Sequence, residues 1–104
     1  MSGYRLHPEA FIDLTRIWEF IAKDNVDVAD RVREDIFDTI RLLTKNPNIG
    51  HRRPDLTSRP LRFRGVFNYL IAYAPEGRPL LIVAVIHGSR NPAAIATILG
   101  EREA

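Results

Sequence analysis

The residues of this sequence best suited to binding chemistry are arginines gathered in one short stretch. Five of them fall within residues 51–64, beside a single acidic residue, Asp55: Arg52, Arg53, Arg59, Arg62 and Arg64. A guanidinium is a planar fork of N–H donors that fits a carboxylate or a phosphate with two parallel hydrogen bonds. The stretch is therefore suited to an acidic protein segment or to nucleic acid, and the alternative is a basic loop that faces only water.

A second pair of candidates, His87 and Arg90, follows the last strongly apolar run of the sequence. An imidazole can transfer a proton near neutral pH, and a guanidinium near it can hold an anion. The structural alternatives are that the ring satisfies backbone groups at the end of a buried strand, and that Arg90 ties the last helix to a carboxylate or a carbonyl. The sequence leaves both interpretations open. We expect His7 and His51 at the surface.

Length and composition predict one globular domain over residues 1–104. The chain is 45% hydrophobic and 27% charged, and it has no cysteine, so neither a disulfide nor a thiolate metal site can form. No run of about 18 apolar residues is long enough to cross a bilayer, and the N-terminus lacks the pattern of a signal peptide. We therefore expect a soluble cytoplasmic protein, and we expect no cofactor because neither metal-ligand spacing nor a glycine-rich phosphate loop is present.

The first half of the chain has the patterns of a strand and two helices. Tyr4 to Leu6 predicts a short strand, and Pro8 suits the first position of a helix over residues 8–23. Asn25 is suited to cap a second helix, which Asn46-Pro47 ends. Because only three residues separate the two helices, we expect an antiparallel helical hairpin.

Apolar spacing predicts which sides of these helices are buried. The predicted core positions are Ala10, Phe11, Leu14, Ile17, Trp18 and Ile21 on the first helix, and Ala29, Val32, Ile36, Ile40 and Leu43 on the second. Three apolar residues fall outside these stripes: Ile12, Phe20 and Leu42. Single exposed hydrophobic residues are common at protein surfaces, but a helix from a partner could instead cover them.

The second half of the chain has the pattern of a sheet followed by a helix. Residues 46–58 contain two prolines and a glycine and predict a loop, and the segments LRFRG, NYLIAYA and PLLIVAVIH then predict three strands. We expect the first of these at the sheet edge with its arginines toward solvent, and Tyr69 and Tyr73 on one face as structural residues with hydroxyls at the rim of the core. Pro92 begins and Gly100 ends a short helix.

The predicted fold class is therefore α+β. An N-terminal strand precedes a helical hairpin that packs on a mostly antiparallel sheet, a C-terminal three-strand meander completes the sheet, and a short helix ends the chain.

Several of these segments together resemble the ParE-type toxins of the RelE/ParE superfamily. The most similar part runs from Arg62 through Tyr69-Leu70-Ile71-Ala72-Tyr73 and Ile82 to Ile86, and ends at His87-Gly88-Ser89-Arg90. The strand at Tyr4, the Asp13-Leu14 pair and the Pro47 to Leu56 loop are also similar, so the resemblance spans nearly the whole chain.

The resemblance implies a bacterial type II toxin that is no enzyme and that blocks DNA gyrase through protein–protein binding. A ParD-like antitoxin would neutralise it in a complex whose stoichiometry the sequence leaves open. The complex would reach operator DNA only through the antitoxin, with no membrane, cofactor or small-molecule substrate involved. We assign the antitoxin contact to Ile12, Phe20, Leu42, Arg59, Arg62 and Arg64. The candidates for target contact are His87, Arg90 and Ile95.

The alternative function is that of the RelE branch, whose members cut messenger RNA on the ribosome. Such cleavage needs a base for the 2′-OH, a donor for the leaving oxygen and cations for the phosphorane charge. His87 could act as acid or base, with Arg62, Arg64 and Arg90 as the cations. RelE-type nucleases usually place a tyrosine or an equivalent group just after this last arginine, whereas Pro92-Ala93-Ala94 follows here. A third alternative is a family member that binds its antitoxin but no longer poisons.

Overall fold

The computed structural model describes residues 3–102 and confirms the α+β class. The elements along this part of the chain are β1 (Tyr4–Leu6), α1 (Pro8–Ala22), α2 (Val26–Lys45), β2 (His51–Arg52), β3 (Arg62–Val66), β4 (Tyr69–Ala74), β5 (Leu80–His87) and α3 (Pro92–Gly100). The strands form one sheet in the order β1-β5-β4-β3-β2, in which β1 is parallel to β5 and the other pairs are antiparallel.

The two helices of the hairpin begin where their capping residues place them. Asn25 accepts a hydrogen bond from the backbone N–H of Val28 at 3.1 Å, which satisfies one of the free donors at the start of α2. His7 does the same for α1, because its Nδ1 accepts from the backbone N–H of Glu9 at 3.0 Å. His7 is thus a half-buried residue with a capping role that its position in the sequence did not predict.

Apolar side chains pack on both faces of the sheet. The helical hairpin covers one face, where Leu14, Ile36 and Ile40 meet Ile71, Tyr73 and Ile82. On the other face, α3 contributes Ile95 and Leu99 to a cluster with Phe63, Val83 and Ile86. The central strand β5 is buried from Leu80 to Ile86, as its continuous apolar run predicts.

The loop predicted over residues 46–58 contains a strand. Within it, β2 pairs with β3 through the register His51↔Phe63 and Arg52↔Arg62. The expectation that β3 lies at the sheet edge is therefore wrong for its first half. A two-residue strand is too short to show an alternating pattern, which is why the sequence did not reveal it.

Phe11 was predicted in the core but is 62% exposed. Ala10 and Leu14 occupy the side of α1 that faces the sheet, and adjacent helical residues point about 100° apart, so Phe11 turns away from it. Phe11 lines an outer groove together with Trp18 and Phe37. The apolar arc of α1 is thus wider than the surface that β5 and α2 cover.

Tyr73 fastens the segment before β2 to the sheet. Its hydroxyl donates to the carbonyl of Pro47 at 2.7 Å and accepts from the backbone N–H of Gly50 at 2.9 Å. Its side chain is fully buried, so this hydroxyl lies inside the protein and not at the rim of the core. A Cβ atom at Gly50 would lie 2.4 Å from the hydroxyl oxygen, so the close approach requires glycine.

Candidate protein-binding site

A cleft of about 340 Å³ opens between α1, α3 and the sheet ends formed by β4 and β5. Its apolar lining includes Ile17, Phe20, Tyr69, Val85 and Ile98. Phe20 is 71% exposed, which leaves an aromatic ring at the mouth of the cleft largely in water. Exposed aromatic side chains beside a concave surface are typical of protein-binding sites.

The charged groups of this cleft are mainly cationic. Arg16 and Arg90 line the cleft and are exposed. The carboxylate in the lining, Asp13, is neutralised by an ion pair with Arg102. Arg102 donates two hydrogen bonds to Asp13, at 2.5 and 3.0 Å, and the backbone N–H of Val85 donates a third at 3.0 Å. The cleft therefore presents positive charge beside an apolar floor.

His87 lies in the same cleft with its ring fixed by neighbours. The backbone N–H of Ser89 donates to Nδ1 at 3.2 Å, and the Ser89 hydroxyl lies 2.7 Å from the same atom. The ring meets Tyr69 edge-on, with centroids 5.2 Å apart and planes at 77°. The imidazole thus accepts a hydrogen bond from a backbone group at the end of β5, which was one of the two alternatives for His87 in the sequence.

Arg90 does not tie the last helix to the rest of the protein. That role falls to Arg102 and to Arg59, whose guanidinium donates to the carbonyls of Leu99 and Arg102 at 2.8 and 2.9 Å. Arg59 thereby binds one carbonyl in the last turn of α3 and one just beyond the helix, where positive charge is favourable. Arg90 remains exposed in the cleft, and Arg59 is engaged inside the protein.

Arg62 and His87 lie too far apart to form one catalytic centre. Arg62 pairs with Tyr73, four residues along β4 from Tyr69, which pairs with His87. At about 3.4 Å per residue this is roughly 14 Å along the strand, and Arg62 and His87 are also two strands, about 10 Å, apart across the sheet. The Arg62 guanidinium donates to the carbonyl of Gly50 at 2.8 Å. Arg64, opposite Ile71, is half-buried and donates no hydrogen bond to any other residue among 3–102.

The three apolar residues outside the helix stripes do not form one patch. Phe20 lies near the bend of the hairpin, whereas Leu42, 43% exposed, lies 16 residues into α2, about 24 Å from its start. Ile12 is half-buried, and neither Ile12 nor Leu42 lines the cleft that holds Phe20.

Ile95 is 2% exposed in the core beneath α3, so its side chain is not available to a target. Ile95 and Leu99 are four residues apart and therefore share the helix side that faces the sheet. Phe67, which is 61% exposed in the turn between β3 and β4, is a further candidate that the sequence did not single out. Its position in a two-residue gap between two apolar strands was the available signal.

The arrangement is suited to binding an acidic, partly apolar segment. Among residues 3–102, no three His, Cys, Asp or Glu side chains are close enough together to hold a metal ion. None of the helices in this part of the chain is long and apolar enough to cross a membrane. What the cleft does offer is hydrophobic contact from Ile17, Phe20 and Ile98 and charge pairing from Arg16 and Arg90.

Comparison with known proteins agrees with this architecture. No curated protein matches the chain. A family model described as the ParE toxin of the type II toxin-antitoxin system, parDE, matches residues 4–92, from β1 to the first residue of α3. Because that match covers most of the chain, the protein belongs to the ParE family and is a toxin of a type II toxin–antitoxin system.

Proposed function

We propose that this toxin acts in the cytoplasm by binding, that it inhibits DNA gyrase, and that a ParD-like antitoxin neutralises it. The observation that carries the proposal is the cleft in which Phe20, His87 and Arg90 come together. Family membership supplies the class of partner, and the cleft supplies a surface suited to it.

The antitoxin segment that fits the cleft is an amphipathic helix with acidic residues beside its apolar face. Apolar side chains one helical turn apart would cover Phe20, Ile17 and Ile98, and carboxylates on the flanks would reach Arg16 and Arg90. Covering Phe20 removes a largely exposed aromatic ring from water, which favours association. Leu42, Ile12 and Arg64 are secondary contacts for the parts of the antitoxin that extend beyond the cleft.

The same cleft serves the target in this proposal. Phe20 was assigned to the antitoxin from sequence, and His87 and Arg90 to the target, yet all three line one concave surface. Two proteins that need the same side chains cannot occupy them together. Neutralisation is therefore occlusion: the antitoxin fills the surface with which the toxin would grip gyrase.

Binding is better supported than RNA cleavage. The nuclease alternative needs Arg62 and Arg64 beside His87, but neither arginine lines the cleft, and the guanidinium of Arg62 is bound to the carbonyl of Gly50. The Nδ1 atom of His87 is already paired with Ser89. The remaining pair, His87 and Arg90, is a site for holding an acidic group.

A displacement experiment tests the proposal. Purified gyrase is immobilised and saturated with the toxin, and the product of the adjacent gene is then added at increasing concentration. We expect the toxin to bind gyrase and to be released as the antitoxin binds it. A stable ternary complex would contradict occlusion, and no binding to gyrase would contradict the proposed target.

A further inference from the structure

Phe67 occupies a backbone conformation that phenylalanine rarely adopts. Its φ is +55°, and among residues 3–102 no other non-glycine residue has positive φ. Phe67 and Asn68 form the two-residue turn between β3 and β4, where the register closes at Val66↔Tyr69. Turns of this length place positive φ at their first residue and favour glycine, asparagine or aspartate there, so a phenylalanine is unfavourable for folding.

The Phe67 side chain contributes little to the core. It is 61% exposed, and it lines a shallow pocket with Leu70, Tyr69 and Gly88. The turn itself is held in place, because the backbone N–H of Gly88 donates to the carbonyl of Asn68 at 2.7 Å. A large apolar ring is thus exposed to water on an anchored turn. The unfavourable backbone conformation of Phe67 raises the free energy of the folded state, and burial of the side chain does not offset it.

This turn adjoins the cleft already described. Tyr69 and His87 line both the shallow pocket beside Phe67 and the cleft that holds Phe20 and Arg90. The two recesses therefore lie on either side of the edge-on pair formed by Tyr69 and His87. A partner that fills the cleft therefore contacts residues that also border the recess beside Phe67.

The charges around the turn identify the kind of partner. The residues nearest the turn, 63–71, and those at the end of β5, 87–90, contain Arg64 and Arg90 but no Asp or Glu. A second copy of the chain docked tip to tip would bring like charges together, which opposes association. An exposed apolar ring on an end of the protein whose charged side chains are Arg64 and Arg90 instead complements a protein surface that has an apolar pocket with carboxylates at its rim.

We infer that Phe67 is an anchor residue for the toxin's protein target, inserted into an apolar pocket whose acidic rim meets Arg64 and Arg90. The inference rests on the proposed binding function but not on the identity of the target. The backbone conformation of Phe67 is unfavourable and its side chain is largely exposed, so neither explains a phenylalanine here. Contact with the target does.

Three variants test the inference. Phe67→Gly removes the ring and relieves the backbone, Phe67→Trp keeps an aromatic group, and Phe11→Ala removes a ring of nearly equal exposure, 62% against 61%, from the outer groove. The readouts are thermal midpoint, growth arrest on induction, and inhibition of supercoiling by purified gyrase.

We expect Phe67→Gly to keep or raise the thermal midpoint while the dose needed for growth arrest rises about tenfold or more. Phe67→Trp and Phe11→Ala should stay near wild type in growth arrest. Unchanged toxicity in Phe67→Gly would overturn the inference, as would an equal loss in Phe11→Ala. Binding of duplex DNA that Phe67→Gly abolishes and Phe67→Trp restores would overturn the assignment to a protein partner.

These outcomes separate the inference from the proposed target. If wild-type toxin arrests growth without affecting gyrase, and Phe67→Gly relieves the arrest, then gyrase is not the target but Phe67 is still the anchor. If wild-type toxin inhibits gyrase and Phe67→Gly inhibits it equally well, then gyrase is the target but Phe67 is not an anchor residue.

Discussion

Asp13 and Arg102, 89 positions apart, form a two-pronged ion pair at 2.5 and 3.0 Å that joins α1 to the chain just after α3. Their side chains are only 14% and 11% exposed, so removing one partner leaves a largely buried charge uncompensated. We expect Asp13→Ala to lower the free energy of unfolding by about 3–5 kcal/mol in urea denaturation.

The control is the exposed pair formed by Arg41 and Asp38, whose side chains are 57% and 68% exposed. Arg41→Ala should change the same free energy by less than about 0.5 kcal/mol, because solvent screens this i,i+3 pair. Equal effects of Asp13→Ala and Arg41→Ala would show that the Asp13–Arg102 pair does not hold the C-terminal segment in place.

Tyr73 should stabilise the fold through its hydroxyl. Tyr73→Phe removes the hydrogen bonds to Pro47 and from Gly50 and leaves the buried Gly50 N–H without its acceptor. We expect a loss of about 1–3 kcal/mol in the free energy of unfolding. Tyr69→Phe is the matched control on the same strand and should cost much less, because the Tyr69 hydroxyl makes no hydrogen bond to other residues among 3–102. Similar losses for both variants would contradict this role.

The same hydroxyl predicts a dependence of stability on alkaline pH. Burial raises the pKa of Tyr73 above its ordinary value of 10.0, although the Gly50 hydrogen bond and the charges of Arg62 and Arg64 oppose the rise. The unfolded chain therefore loses this proton at lower pH than the folded protein does. The stability from neutral Tyr73 is fully present below about pH 10 and is lost as pH rises through the raised pKa.

Urea midpoints measured from pH 8 upward check this expectation. Wild type should lose more stability above about pH 10 than Tyr73→Phe, which has no proton to release at this position. Parallel curves for the two proteins would mean that the Tyr73 pKa is not raised by folding.

Phe20 should contribute most to antitoxin binding among the exposed apolar residues of the helical hairpin. Phe20→Asp places a carboxylate in the cleft where acidic antitoxin residues would lie, so we expect Kd to rise about tenfold to a hundredfold, with the thermal midpoint preserved. Leu42→Asp should weaken binding less, and the two changes together should weaken it further. Titration calorimetry against the antitoxin measures both. A larger loss for Phe11→Asp, on the same helix but in the outer groove, would place the antitoxin there instead.

Local signals in the sequence identified most of the elements. Asn25 and Pro92 mark helix starts by capping and by fixed φ, and the continuous run that forms β5 could only be a buried strand or a buried helix. The failures are of two physical kinds. Phe11 was misplaced because a helix period gives the spacing of apolar residues but not how much of the apolar arc a neighbour covers, and the same limit left the burial of Ile95 unpredicted.

Long-range polar contacts form the second kind of failure. Three arginines bind carbonyl or carboxylate oxygens far along the chain: Arg59 at 40 positions, Arg62 at 12 and Arg102 at 89. The spacing of neighbouring residues cannot predict such distant partners. The candidate site was therefore only partly predictable. His87, Arg90 and Phe20 were each singled out from sequence, but only the packing of α1 against β5 shows that they share one cleft.

The most direct test of the binding account is DNA supercoiling by purified gyrase, titrated with wild-type toxin and with Arg90→Glu, each with and without the antitoxin. We predict that wild-type toxin inhibits supercoiling, that added antitoxin restores it, and that Arg90→Glu inhibits far more weakly because its charge in the cleft is reversed. Full supercoiling in the presence of wild-type toxin, together with cleavage of ribosome-bound messenger RNA that depends on His87, would contradict the account.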